Sequence, residues 1–276
     1  MATKATKAAA KETPKTEVAT VSNNLPATMD ASMLAADAGI GREQMSITDM
    51  ALPYLQILQS LSPQVKKSSP QRVDGAEEGD IFNTVTQELF ASEDGINVIP
   101  CAFQKAWVEW APRDSGGGWI ASHSSDQILN HCNRNEQGFD VRKDNGNIIV
   151  PTFYYYVLLI KENGGFEPAI ISMARTQMKV GRKWNSLMSS LQVMGPNGLF
   201  NPPMFAQKFH VTTEAVSNAK GEWCNWKLRA DGLVANADLY QVAKKFAGQV
   251  RTGAVKASAP PTEGDDLDTY GDSGVF

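Results

Sequence analysis

The sequence predicts a mainly β protein with a few helices, and three observations carry that reading. Long runs rich in Ile, Val, Phe, Tyr and Trp recur from Ile96 onward, bounded by Gly, Asn and Pro. Two later windows repeat apolar residues at three- and four-residue spacing, the period of a helix. Both ends of the chain are charged and poor in large apolar residues, so neither can offset its own ordering entropy. With 276 residues at 42% hydrophobic, the chain can supply one core of roughly 150 to 200 residues. The longest apolar run, Ile148 to Ile160, includes Pro151 and three tyrosines. It falls short of the ~18 to 20 apolar residues of a membrane span, so no membrane association is expected.

Taken in order, residues 1–22 read as a disordered basic arm, in which Lys4, Lys7, Lys11 and Lys15 outweigh Glu12 and Glu17. No apolar stretch follows them, so they are not a secretory signal. Residues 23–95 form an N-terminal extension packed on the core. Within it Met29 to Ala38 suits a short helix, and Met50 to Leu61 is either a helix or an extended piece laid on the core, because Pro53 interrupts its apolar period. A loop through Ser62-Pro63 and Ser69-Pro70, a turn at Glu77 to Asp80 and a strand near Ile81 to Val85 follow.

Residues 96–250 hold the main domain. Ile96 to Trp110 is a long strand; a polar, glycine-rich excursion separates it from a second, Asn147 to Lys161. Asn163-Gly164-Gly165 turns the chain into a third strand, Pro168 to Met173. Trp184, Leu187, Met188, Leu191 and Met194 then make one helical stripe, stopped by Gly195-Pro196. Two strands, Met204 to Thr213 and Glu222 to Asp231, precede a last helix, Ala237 to Val250, with Asp238 near its start and Lys244, Lys245 and Arg251 near its end. Three strands, a helix, two strands and a helix give the order of an OB-fold-like five-stranded barrel with a helix between strands 3 and 4, plus a C-terminal helix and disordered tails. Such barrels bind oligonucleotides or oligosaccharides on one face and in their loops.

Charge is unevenly distributed. The chain carries a net −4, yet its first twenty residues hold +2, the segment from Ala259 holds −5 and the body between them is within one charge of neutral. Bulk attraction to nucleic acid is therefore absent, and binding would need a local basic strip with stacking rings. Residues 251–276 read as a disordered acidic tail whose Asp265, Asp266, Asp268 and Asp272 surround Tyr270 and end at Phe276. It is either a solubilising segment or a handle for partners, and the terminal aromatic favours the handle.

Cys101, Cys132 and Cys224 are odd in number and far apart, which fits a reducing cytoplasm rather than a disulfide framework. His123, His131 and Cys132 are too loosely spaced for a zinc motif, and no metal or other cofactor is expected. No histidine sits in a hydrolase or metalloprotease motif, so no enzyme is read here.

Single strands are held by aromatic faces, each worth roughly 1 to 3 kcal/mol per stacked base, and by cations that follow the phosphates. Period-two alternation through WCNWKLR puts Trp223, Asn225, Lys227 and Arg229 on one face and Cys224, Trp226 and Leu228 on the other. In the preceding strand Lys208, His210 and Thr212 likewise alternate with Phe209 and Val211. Lys105 and Trp107 share a side of the first long strand with Phe103 and Glu109, and Trp119 follows three glycines whose flexibility would let its ring swing onto a base. Arg182 and Lys183, with Arg175 and Lys179, lie opposite the apolar stripe of their helix and could extend a phosphate track. Each has a plainer reading: strand tryptophans such as Trp107 and Trp226 are more often core, and surface cations usually only solvate.

An OB-like body followed by the tail GDDLDTYGDSGVF resembles the single-stranded DNA-binding proteins of bacteria and, in single-domain form, of bacteriophages. MALPYLQILQSLSPQV and SLQVMGPNGLFNPPMF are similar to segments of phage replication proteins. The tail departs from bacterial members, which end in an aspartate run followed by Ile-Pro-Phe. The resemblance implies a protein that coats single-stranded DNA in phage replication and recombination within the host cytoplasm. It also implies recruitment of a polymerase, helicase or nuclease through the tail, with a homodimer as one possible assembly. Two other roles suit the same residues: strand annealing or transcription modulation by the same fold, and a virion or host-interaction protein that binds no DNA.

Overall fold

The computed structural model describes residues 31–46, 49–112, 116–219 and 221–260. The chain forms two compact units, Met1–Ser46 and Ile47–Phe276. The first contributes one short helix, α1 (Ala31–Ala36), followed by turns. The basic arm of residues 1–22 and the tail from residue 261 lie outside the described residues.

The second unit is mainly β. β1 (Leu55–Ile57), β2 (Ile81–Asn83) and β3 (Leu89–Phe90) pair antiparallel into a small sheet. The main sheet comprises β4 (Ile96–Trp110), β5 (Trp119–His123), β6 (Cys132–Arg134), β7 (Asp140–Arg142), β8 (Ile148–Ile160), β9 (Phe166–Ala174), β12 (Gln207–Asn218) and β13 (Gly221–Leu233). Between them fall helix α2 (Gln177–Ser190) and a separate hairpin, β10 (Val193–Gly195) with β11 (Gly198–Phe200), and α3 (Ala237–Arg251) closes the series.

Strand order in the main sheet is β13-β12-β4-β8, with β9 on β8, β5 on β4, and β7 and β6 continuing beyond the start of β8. The sheet curls into a half-barrel. Its curvature has a local cause in β4, where a bulge between Pro100 and Ala102 shifts the register against β8. Pro151 is tolerated inside β8 because it falls where that strand's second edge passes from β7, paired at Ile148 and Ile149, to β9, paired from Thr152 onward.

Two cores lie on the two faces of this sheet, which explains why β8 is an almost unbroken apolar run. Phe153, Tyr155, Val157 and Leu159 point inward with Trp184, Phe209, Val211 and Trp226; Tyr154, Tyr156 and Leu158 point outward against Phe246 and Val250 of α3. Helix α2 seats on the inner side, packing against β8, β9 and β13. Gly181 makes that seat possible: a Cβ there would lie 2.8 Å from Phe153 Cδ2. Tyr155 Oη donates to the Gly181 carbonyl at 2.8 Å, and its ring stacks on Trp184 at 4.4 Å. Helix α3 is capped by Asn236, whose Oδ1 accepts from Asp238 N at 2.8 Å and Leu239 N at 3.0 Å.

Of the two forms open to this segment, residues 53–59 take the extended one rather than the helix. Ile170 N donates to Pro53 O at 2.8 Å beside a parallel bridge between Tyr54 and Ile170, while Gln59 bonds to Cys224 on β13. The segment thus spans the gap between β9 and β13, with Leu55 and Ile57 buried in the inner core.

Several expectations change. The helical stripe ends at Ser190 rather than Met194, since Asn201 Nδ2 donates to the Ser189 and Leu191 carbonyls and closes the helix. Met194, 75% exposed, belongs instead to the β10–β11 hairpin. The glycine-rich excursion after β4 is built into β5, a 3₁₀ turn at Asp126–His131, β6 and β7.

Candidate nucleic-acid interface

The β12–β13 ribbon unites five of the predicted residues. In its register His210 pairs with Arg229, Thr212 with Lys227, Glu214 with Asn225 and Val216 with Trp223, so these side chains share the face away from Phe209, Val211 and Trp226. Lys208 joins them beside Asp231. On β4, Asn97 continues the face, with its Oδ1 3.1 Å from His210 Nδ1. Lys227 and Arg229 are exposed, Lys208 and His210 half-buried, and Trp223 half-buried next to a buried Asn225.

Two carboxylates on the same face went unread in the sequence. Asp231 lies 2.8 Å from Lys208 and 3.9 Å from Arg229, and Glu214 lies 3.5 Å from Lys227. The hydrogen bond from Lys208, reinforced by the nearby Arg229, holds the Asp231 carboxyl below its ordinary range. Period-two counting past Arg229 and Thr212 would have found both. Surface pairs like these, the one with Glu214 exposed and the one with Asp231 half-buried, contribute only about 0 to 1 kcal/mol, so a phosphate can displace either carboxylate at little cost.

The remaining predicted residues are placed elsewhere. Arg182 and Lys183 are exposed on α2, which packs on the opposite side of β13, so they do not extend the ribbon. Trp107 is buried between Pro151 and His123 on the neighbouring strands, as the core reading holds, with Lys105 Nζ 4.5 Å from its ring centroid. Trp119 does not sit in a swinging loop: it starts β5, paired with Trp110, and is 41% exposed. Asp265, Asp266, Asp268, Tyr270, Asp272 and Phe276 lie outside the described residues.

A second constellation joins the ends of β4, β5, β7 and β8. Glu109, 4% exposed, accepts from Asn147 Nδ2 at 2.6 Å, lies 2.7 Å from His123 Nε2 and 3.6 Å from Arg142. Burial raises its carboxyl, but the bonds from Asn147 and His123 and the charge of Arg142 outweigh that and hold it below the usual carboxylate range. Sequence reading missed this because its members lie up to 38 residues apart. His123 opens on a pocket bordered by the 3₁₀ turn. Among the described residues no group of three or more His, Cys, Asp or Glu side chains could hold a metal, and no helix is long and apolar enough to cross a membrane.

A curled half-barrel sheet with few helices defines a mainly β protein. The model of the Pam3 phage gp34-like protein family matches residues 18–256, and the chain belongs to that family, which places it among bacteriophage proteins. No curated protein and no solved structure matches it.

Proposed function

We propose that this phage protein binds single-stranded DNA and coats it during phage replication and recombination in the host cytoplasm. The observation that carries this reading is the register of β12 and β13, which sets His210, Lys227 and Arg229 on one face with Trp223 at its end, Lys208 joining them through its ion pair with Asp231. Cations at strand spacing beside a ring are what a phosphate track with a stacking platform requires. The supporting fold is an OB-type barrel. Its strands would be β4, β8, β9, β12 and β13 in chain order, with α2 after the third and residues 53–59 lying in the seam between the third and the fifth. The acidic tail would recruit replication or recombination partners and, when DNA is absent, compete for the same face.

Titration of labelled oligonucleotides, single and double stranded, at two salt concentrations tests this. Single strands should bind tightly and lose affinity steeply with salt; equal binding to both forms, or none, refutes the proposal. A protein-binding virion or host-interaction role is the second reading, favoured by the β10–β11 hairpin, whose Met194, Leu199 and Phe200 are exposed within the uncharged stretch 184–207. Presence in purified particles without DNA binding would select it.

A further inference from the structure

We infer that the acidic tail docks as an added strand on the open edge of β13, setting Asp266, Leu267 and Asp268 against Lys227, Leu228 and Arg229. The docking stands on the geometry of that edge; its competition with DNA rests on the DNA-binding proposal above. β13 ends the main sheet and pairs with β12 alone. Backbone N–H and C=O groups of successive strand residues point to alternate sides. Gln59 takes both groups of Cys224 on the side away from β12, so Trp226, Leu228 and Ala230 turn theirs the same way. Asn225 Oδ1 accepts from Trp226 N at 2.8 Å. Beyond it, Leu228 and Ala230 present N–H and C=O groups with no partner among the described residues. Such an edge takes up an extended peptide through main-chain hydrogen bonds, and the flanking side chains choose which peptide.

Side chains on both segments fit this one occupant. Lys227 and Arg229 are exposed on the outer side of β13, and Leu228 between them turns inward against the core. In the tail, Asp266, Asp268, Tyr270 and Asp272 recur at every second residue, with Leu267 between the first two. Extended, Asp-Leu-Asp is the complement of Lys-Leu-Arg, charge to charge and leucine to leucine, whichever way the added strand runs. Lys227 meets Glu214 of β12, and Arg229 lies 3.9 Å from Asp231 of its own strand; neither forms an ion pair across the open edge among the described residues. Cations that keep a basic strand off this edge select an acidic one. The tail of the same chain reaches it. Ala257 N donates to Tyr156 Oη at 2.9 Å and Ser258 O accepts from Tyr54 Oη at 2.7 Å, which fixes the start of the tail on the sheet face that carries Lys227 and Arg229. Tyr156 pairs with Ala102 on β4, and Arg229 with His210 opposite Asn97. Three strand spacings of ~4.8 Å and roughly five residues of ~3.3 Å put the two on the order of 25 Å apart. The chain from Ala257 to Leu267, extended, spans roughly 33 to 36 Å.

Amide hydrogen exchange, followed by NMR in the full-length protein and in one lacking residues 261–276, tests the docking. Removing the tail should speed exchange at Leu228 and Ala230 about tenfold and leave Phe209 and Val211 of β12 unchanged; equal rates at Leu228 and Ala230 overturn the inference. Asp266→Lys with Asp268→Lys should act as the truncation does, and adding Lys227→Glu with Arg229→Glu should restore the slow rates, because the charges match again. Rates that stay fast in the folded fourfold variant overturn the pairing. Protection should be independent of protein concentration, and protection that fades on dilution overturns docking by the chain's own tail in favour of a neighbouring copy's. Single-strand titration of the truncated protein then separates the two proposals. Binding tighter than that of the full-length chain, with unchanged exchange at Leu228, overturns the edge site and leaves DNA binding standing. Tail-dependent protection without any DNA binding leaves the edge site standing and refutes the DNA-binding proposal.

Discussion

Gln59 and Cys224 are 165 residues apart, yet the side-chain amide of one completes the backbone of the other: Gln59 Nε2 donates to Cys224 O at 2.9 Å and Gln59 Oε1 accepts from Cys224 N at 2.9 Å. A side chain thereby does for β13 what a neighbouring strand would do, and it does so in the seam that faces β9. Gln59→Ala leaves both backbone groups to find other partners, a loss of about 1 to 3 kcal/mol where they stay dry. Denaturant melts of the variant should show that loss, with accelerated hydrogen exchange confined to the Cys224 region; unchanged exchange would mean that the seam is held by burial of Leu55 and Ile57 alone.

Adjacent residues on β13 should separate folding from binding. Trp226 is buried among Trp184 and Phe209 on the inner face, so Trp226→Ala should cost about 3 to 5 kcal/mol. Lys227, one position on, is exposed, and Lys227→Ala should change stability by less than about 0.5 kcal/mol. It should nevertheless weaken single-strand binding and reduce the slope of log affinity against log salt by about 1. Comparison of thermal melts with salt-dependent titrations checks both.

Asp231 restrains two of the ribbon's cations. Asp231→Asn keeps the shape but removes the charge opposite Lys208 and Arg229, and single-strand affinity at low salt should rise by up to about 1 kcal/mol, roughly fivefold. A fall in affinity would mean that Asp231 holds Lys208 in the binding posture rather than competing with phosphate.

The Glu109 cluster predicts acid sensitivity. Its carboxyl is held below the ordinary value, so the folded state binds its proton less readily than the unfolded chain. That stability is complete above the unfolded pKa of about 4.3 and is lost as pH falls through the lower folded value. Chemical denaturation between neutral pH and pH ~3 should therefore show a steeper acid loss in the wild type than in Glu109→Gln, which cannot ionise. Glu109→Ala at neutral pH should be costlier than Glu109→Gln, by about 1 to 3 kcal/mol, because it leaves His123 Nε2 and the buried Asn147 amide without their acceptor.

Gly181 tests the seat of α2. Gly181→Ala gains roughly 0.5 to 1 kcal/mol of backbone preference in a helix but forces a methyl against Phe153, Tyr155 and Met173, an overpacking cost of about 1 to 3 kcal/mol. A net loss of stability with altered near-ultraviolet signal from the Tyr155–Trp184 stack is expected.

What was legible in the sequence was local. Alternation through Glu222 to Asp231 placed Trp226 inside and Lys227 and Arg229 outside, because a strand's side-chain period is two and needs no partner to express it. The apolar stripe around Trp184 and Met188 and the run of α3 were equally local, set by the helical period. The mainly β class, the five long strands and both helices followed from such short-range patterns.

Tertiary structure alone decided the rest, since it depends on which distant segments meet. Met194 fitted the helical stripe in sequence but was taken from it by Asn201, whose amide caps the helix at Ser190. The extended strap from Pro53 to Gln59 acquired a role only once the β9–β13 gap existed to receive it. Asp231 became a competitor for Lys208 when the β12–β13 register set them together, and Glu109 became a buried anion when His123, Asn147 and Arg142 converged on it from three other strands and turns. Side-chain periodicity is written within a few residues of chain; the desolvation and hydrogen bonding that make a site are properties of groups brought together by folding.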